Sequence, residues 1–135
     1  MVARDQSLTL RYPEENAVTV TKLSLAALPS EQFTPLTELP PFAAFLDGTT
    51  VGYVHLAGPV AEPGEIASMQ IPAGGFQYTD IPVTESGFLL AGTAVIRDAD
   101  GETDLKAGDG YILPAGFTGT FEVKEAVTKV FYVLP

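Results

Sequence analysis

Short runs rich in valine, threonine, phenylalanine and tyrosine, cut at close intervals by glycine or proline, dominate this chain. β-Branched and aromatic side chains suit a pleated surface, whereas an amphipathic helix needs longer uninterrupted stretches. Thirteen glycines and eleven prolines leave few of those. The runs predict strands over Ser7–Tyr12, Ala17–Leu25, Val51–Ala57, Glu65–Ile71, Phe76–Ile81, Glu85–Leu90, Thr93–Asp98, Gly110–Leu113, Thr118–Lys124 and Val127–Leu134. Many short strands with frequent turn signals predict an all-β sandwich or barrel. Asp100-Gly101 predicts a tight hairpin between two of them, because these residues tolerate positive φ at low cost, and Asp47-Gly48 carries the same signal.

From Ala26 to Phe45 the pattern changes. Pro29, Pro35, Pro40 and Pro41 leave room for a short helix near Pro29-Ser30-Glu31 but for no long one. Phe33, Phe42 and Phe45 would be out of place in a solvated linker. This proline-rich N-terminal segment is therefore expected to be a covering arm, lying across the barrel or across a partner subunit. Its phenylalanines need cover, which predicts a homodimer. The chain is expected to be one domain over 1–135, with N-terminal strands and arm in 1–50 and the barrel in 51–135.

Composition narrows the function classes. The formal net charge is −10, and the seven basic residues are scattered singly. Nucleic-acid binding needs clustered lysine and arginine to displace phosphate counterions, so it is not expected. The acidic balance also disfavours a strongly anionic ligand, unless one of the few cations lies inside the pocket. Without cysteine there is no disulfide framework, thiolate nucleophile or zinc-thiolate site. No apolar run approaches membrane-spanning length, and the N-terminus lacks the apolar core of a secretory signal. A soluble, cytoplasmic protein is expected.

Two segments carry a motif frame. Glu85 is followed seven residues later by Gly92. Further on, Gly108-Asp109-Gly110-Tyr111-Ile112-Leu113-Pro114-Ala115-Gly116 runs into Phe117-Thr118-Gly119. Together they resemble the paired signatures of the cupin superfamily. Within it the chain is most similar to small single-domain cupins related to ureidoglycine aminohydrolase, a family once labelled a domain of unknown function. Leu-Ala-Gly-Thr-Ala-Val-Ile-Arg-Asp-Ala-Asp-Gly, Lys-Ala-Gly-Asp, Pro-Ala-Gly-Phe-Thr-Gly-Thr-Phe-Glu-Val and Glu-Ala-Val-Thr-Lys-Val-Phe-Tyr-Val carry this likeness. It covers roughly Gly64 to Leu134. The resemblance implies an antiparallel double-stranded β-helix, the jelly-roll or cupin barrel.

It also implies a divalent ion, held by two histidines before the glutamate and one after the Pro-x-Gly turn. Here the first pair falls on Thr79 and Ile81, or on Tyr78 and Asp80, and the third on Gly119. The single histidine, His55, lies well upstream. A catalytic metal site wants about three protein donors, so neither metal nor cofactor is expected. The retained residues fix architecture. Gly92 and Asp100-Gly101 are expected to supply hairpins. Asp109 is placed to accept backbone N–H bonds at a turn, and Pro114-Ala115-Gly116 makes another tight connection.

Glu85 is the leading candidate for chemistry. If it points inward, Gly87 and Leu89 share its face. A carboxylate among apolar walls can serve as general acid or base. Alternatively, it is a structural group paired with Tyr78, Thr79 or a lysine at the barrel mouth. Phe121 and Val123 are expected to line the interior, Phe121 as filling, while Tyr78 and Asp80 could hydrogen-bond a ligand. The candidate pocket is therefore Tyr78, Asp80, Glu85, Leu89, Phe121 and Val123. His55, alone on a strand, is expected to be a core or surface residue. The function expected is binding of a small metabolite without a metal. The alternative is a metal-independent lyase, isomerase or hydrolase, in nitrogen metabolism by resemblance, with Glu85 as its acid or base.

Overall fold

The computed structural model describes residues 20–24 and 28–135. Among these, the β-rich runs form nine strands: β1 Thr34–Pro35, β2 Ala43–Phe45, β3 Gly52–Ala57, β4 Ile66–Ile71, β5 Gly74–Tyr78, β6 Glu85–Asp98, β7 Gly101–Lys106, β8 Gly110–Leu113 and β9 Gly119–Val133. All pairings are antiparallel, in a single curled sheet ordered β1-β3-β4-β9-β5-β2, with β6 pairing β7, β8 and β9. The all-β barrel expected from the sequence is what forms. The predicted strand Ser7–Tyr12 lies outside the described residues, as does most of Ala17–Leu25, and residues 20–24 form no strand.

Two long strands replace four predicted short ones. Gly92 does not turn the chain into a hairpin. It takes a φ of 87° inside β6, where the register against β9 slips around Ala91 and Thr93. A side chain there would meet the Ala126 carbonyl oxygen at 2.1 Å, so this glycine permits a bulged crossing rather than a reversal. The actual reversal into β7 is the two-residue loop Ala99-Asp100. There Asp98 Oδ1 accepts N–H bonds from Asp100 and Gly101 at 2.8 and 3.1 Å. β7 itself carries no alternating pattern in sequence, because only Leu105 of its residues is buried. The Asp109 carboxylate accepts the Lys106 N–H at 3.0 Å, as its turn position predicts.

The arm covers its own barrel. Ser30–Gln32 forms one 3₁₀ turn, and the segment then adds β1 to one end of the sheet order and β2 to the other. Proline is tolerated at such edges because no neighbour awaits its missing N–H. Residues 36–42 bridge the two edges, tied by Leu36 N–H to the Val51 carbonyl at 2.9 Å and Thr79 N–H to the Phe42 carbonyl at 2.9 Å. Leu36, Leu39, Phe42 and Phe45 pack on the core, and Phe45 stacks on Phe76 with ring centroids 5.9 Å apart. The core faces inward from alternating positions: Phe76 and Tyr78 on β5, Leu89 on β6, Tyr111 and Leu113 on β8, Phe121, Val123 and Val127 on β9.

Candidate functional site

Alternation on β6 sends Glu85, Gly87 and Leu89 inward, between β8 and β9. Gly87 stands opposite Tyr111 on one side and Phe131 on the other. An added Cβ at Gly87 would lie 2.6 Å from the Tyr111 ring, so the missing side chain is what lets that ring lie across β6. From there the Tyr111 hydroxyl donates to Glu85 Oε2 at 2.5 Å.

The same parity on β9 turns Lys129 inward with Val127 and Phe131. Its side chain is only 1% exposed. Lys129 Nζ donates to Glu85 Oε2 at 3.1 Å and to the Tyr111 oxygen at 2.9 Å. It also sits 4.5 Å from the Phe121 ring centroid and 5.2 Å from those of Tyr111 and Phe131. The aromatic faces present negative potential to the ammonium, so this burial is compensated by one carboxylate, one phenol and a ring cage. Tyr111 is held well above the usual tyrosine pKa, first by burial and then by the charge of Glu85. The lysine considered as a partner for Glu85 is thus Lys129, at the barrel floor rather than its mouth.

Above this cluster lies a cavity of about 520 Å³. Its walls come from the arm (Leu36, Leu39, Phe42), from Tyr53, Met69, Phe76 and Phe131 inside the sheet, and from Ile81, Pro82 and Val83 before β6. Glu85 and Tyr78 both line it. Among the described residues, the donors to Glu85 meet Oε2 alone, and the Tyr78 hydroxyl makes no hydrogen bond although the residue is buried. Tyr78 is pushed well above its usual pKa by burial and by Glu85. A second acid, Glu65, lines the same cavity, on the other side of Val133 from Glu85: Tyr53 donates its hydroxyl to Oε2 and the Ala61 N–H reaches Oε1 at 3.1 Å.

The structure brings Tyr78 and Glu85 together at the cavity. Leu89, Phe121 and Val123 are buried in the core and do not line it. Phe121 lies beneath the Lys129 ammonium and meets Tyr111 edge-on, with centroids 5.5 Å apart. Asp80 is exposed, with a φ of 45° and its N–H bonded to Thr118 Oγ1 at 2.8 Å. His55 is exposed on β3, its Nε2 2.7 Å from the Gly58 carbonyl oxygen. Sequence reasoning missed Lys129, Tyr111, Tyr53 and Glu65. For Lys129 a signal existed, since even steps from Phe121 and Val123 along the last strand arrive at it.

The divalent ion implied by the cupin frame does not fit these residues. Of the positions facing the cavity at the motif, Ile81 is a hydrocarbon and Tyr78 a phenol, while Glu85 already faces an ammonium at 3.1 Å. Gly119 contributes no side chain, and its Cα is pressed against the Arg97 carbonyl, where a Cβ would lie 2.0 Å from the oxygen. Among the described residues, no three histidine, aspartate or glutamate side chains converge as a metal would require.

Comparison with known proteins agrees with this architecture. No curated protein matches the chain. Among solved structures it is similar to the EutQ protein of Clostridium difficile, with a TM-score of 0.57 and 18% identity, covering 65% of this chain and 70% of that one. A putative ethanolamine utilization protein Q from Salmonella typhimurium LT2 gives 0.56 at 23% identity, over 63% and 69%. An acetylacetone dioxygenase from Acinetobacter johnsonii gives 0.62 at 15% identity, over 99% and 80%. At these identities the likeness is one of fold. Residues 61–131, spanning the loop before β4, the Lys129–Glu85–Tyr111 cluster and most of the curled sheet, match the EutQ-like cupin domain, and the chain belongs to that family.

Proposed function

We propose that this protein binds a small metabolite in the barrel cavity without a metal, in the cytoplasm. The observation that carries the reading is the pair Glu85 and Tyr78, two polar groups presented to an otherwise mainly apolar hollow of about 520 Å³. That volume suits a small ligand, and apolar walls with a few placed polar groups are how such sites fix orientation. Lys129 and Tyr111 hold Glu85 through one oxygen, and among the described residues nothing donates to the other, which can accept a ligand hydrogen bond. The buried Tyr78 phenol has no hydrogen-bond partner among the described residues, which is costly unless something else supplies one. Screening a metabolite library by ligand-observed NMR tests the proposal, with Ala43→Phe to fill the cavity wall. Binders that lose contact in the filled variant support it. A library without binders, or binders indifferent to the filling, would sink it.

A second reading is an enzyme in which Glu85 acts as acid or base. Its support is the same geometry: a carboxylate anchored on Oε2 can exchange a proton with a ligand at Oε1. The likeness to ureidoglycine aminohydrolase relatives directs the choice of substrates towards small nitrogen compounds. Turnover that survives Glu85→Gln would remove Glu85 from that role.

A further inference from the structure

The cavity walls have one sign of charge. Glu38, Glu62, Glu65 and Glu85 line it, and among the described residues no lysine, arginine or histidine does. Glu38 and Glu62 are exposed at the rim, where solvent screens them. Glu85 is answered from behind by Lys129. Glu65 is different. It is 3% exposed, and among the described residues its carboxylate is met by the Tyr53 hydroxyl and the Ala61 N–H, with no cation in salt-bridge range. Ala61 reaches it from a φ of 61°, a conformation rarely adopted by a residue with a side chain. Carboxylates buried this deeply are normally paired with a cation.

The cavity has aromatic walls: Tyr53 beside that acid, and Phe42 and Tyr78 elsewhere, while Phe76 and Phe131, which line it too, already face the Lys129 ammonium at 5.9 and 5.2 Å. Ring faces attract cations, and an anionic group among aromatic walls is the combination that receives organic ammonium groups. The Tyr78 hydroxyl, without a hydrogen-bond partner among the described residues, is an independent pointer, because its oxygen can accept an ammonium N–H deep in the same hollow. Resting on the reading that the cavity binds a small molecule, we propose that its ligands are organic cations, protonated amines with an apolar body, and that Glu65 receives the charge. Glu85 Oε1 then accepts from a second donor on the ligand.

A matched series tests this at pH 7 by isothermal titration and ligand-observed NMR. It comprises primary amines, the corresponding alcohols and the corresponding carboxylates, each on butyl, cyclohexyl, benzyl and phenethyl bodies. On the wild-type protein the amines bind about tenfold or more tightly than the alcohols, the carboxylates bind least, and added salt narrows the gap. In Glu65→Gln the preference for amines over alcohols collapses. The wild-type series needs no variant, so it decides the matter even where Glu65→Gln folds poorly. Alcohols or carboxylates binding as well as amines would overturn the cation assignment and leave small-molecule binding standing. If no member binds, the cation assignment fails, and the metabolite library decides separately whether the cavity binds a small molecule. A tenfold preference unchanged in a well-folded Glu65→Gln would overturn the role of Glu65.

Discussion

Lys129→Met should be the most damaging conservative change in the barrel. The side chains are of similar length, so little packing is lost; what disappears is the ammonium. Glu85 then keeps one charge with the Tyr111 hydroxyl as its only remaining donor among the described residues. Breaking one partner out of a buried pair costs about 3–5 kcal/mol. Lys129 is 1% exposed, but the Glu85 side chain is 14% exposed towards the cavity, where water can partly solvate it. That favours the lower end, about 3 kcal/mol. For a chain of this size about 4 °C of melting temperature accompanies each kcal/mol, giving a fall of about 12 °C.

Urea unfolding followed by far-UV circular dichroism measures the loss, with tyrosine fluorescence as a second probe in a chain that has no tryptophan. The diagnostic comparison is Lys129→Met with Glu85→Gln in one chain. Removing both charges should recover about 2 kcal/mol or more of the summed single-variant losses, because neither is then left alone. A Lys129→Met loss below about 1 kcal/mol, or a double variant showing simple additivity, would refute the charge-pair account.

Three further outcomes are expected. Tyr78 and Tyr111 stay protonated in the folded protein above the pH at which they ionise unfolded, so their contribution is fully present below about pH 10 and lost as pH rises beyond it. Alkaline titration of urea midpoints should fall in that range, and Tyr111→Phe should flatten the slope. An unchanged midpoint up to pH 11.5 would contradict the burial argument. Gly87→Ala drives a methyl towards the Tyr111 ring, with 2.6 Å available, and should cost about 1–3 kcal/mol with weakened ligand binding; a neutral change would mean the ring moves freely. The homodimer expected from the sequence is checked by sedimentation velocity. The arm's Phe42 and Phe45 pack on their own core, so the arm no longer calls for a partner; Phe88 and Ile112, 56% and 67% exposed on β6 and β8, are the apolar pair left for one, Ile112→Lys should shift sedimentation towards the monomer, and a wild-type monomer at all concentrations ends the idea.

What the sequence made legible was the punctuation and the frame. Glycine and proline spacing, Asp98 to Gly101 and Gly108-Asp109 mark reversals whose chemistry is local, so they can be located without a fold. Gly92 misled because a positive φ serves a bulge as well as a hairpin, and only the pairing of β6 with β9 distinguishes them. β7 was invisible because an exposed edge strand needs no apolar alternation. Within the site, Glu85 and Tyr78 followed from the motif's position. Lys129 and Glu65 did not, since charged residues on strands and in the loops before them ordinarily face water, and their burial depends on partners 44 and 12 residues away in sequence.

That placement explains how a cupin frame can persist without its imidazoles. The motif positions a carboxylate inside a barrel, and such a carboxylate needs an opposing charge wherever the barrel is otherwise apolar. A metal held by histidines is one solution; a lysine rooted in the adjacent strand is another, and it requires only that β9 keep its parity from Phe121 to Lys129. The difference matters for ligands. An ammonium already hydrogen-bonded to Glu85 and Tyr111 and caged by rings has no open coordination position to offer. The polar side chains that line the cavity include Glu85, Tyr78, Tyr53 and Glu65, the last without a salt-bridge partner among the described residues. On the proposed reading, recognition works through hydrogen-bond acceptors and negative charge, which favours donors and cations over anions.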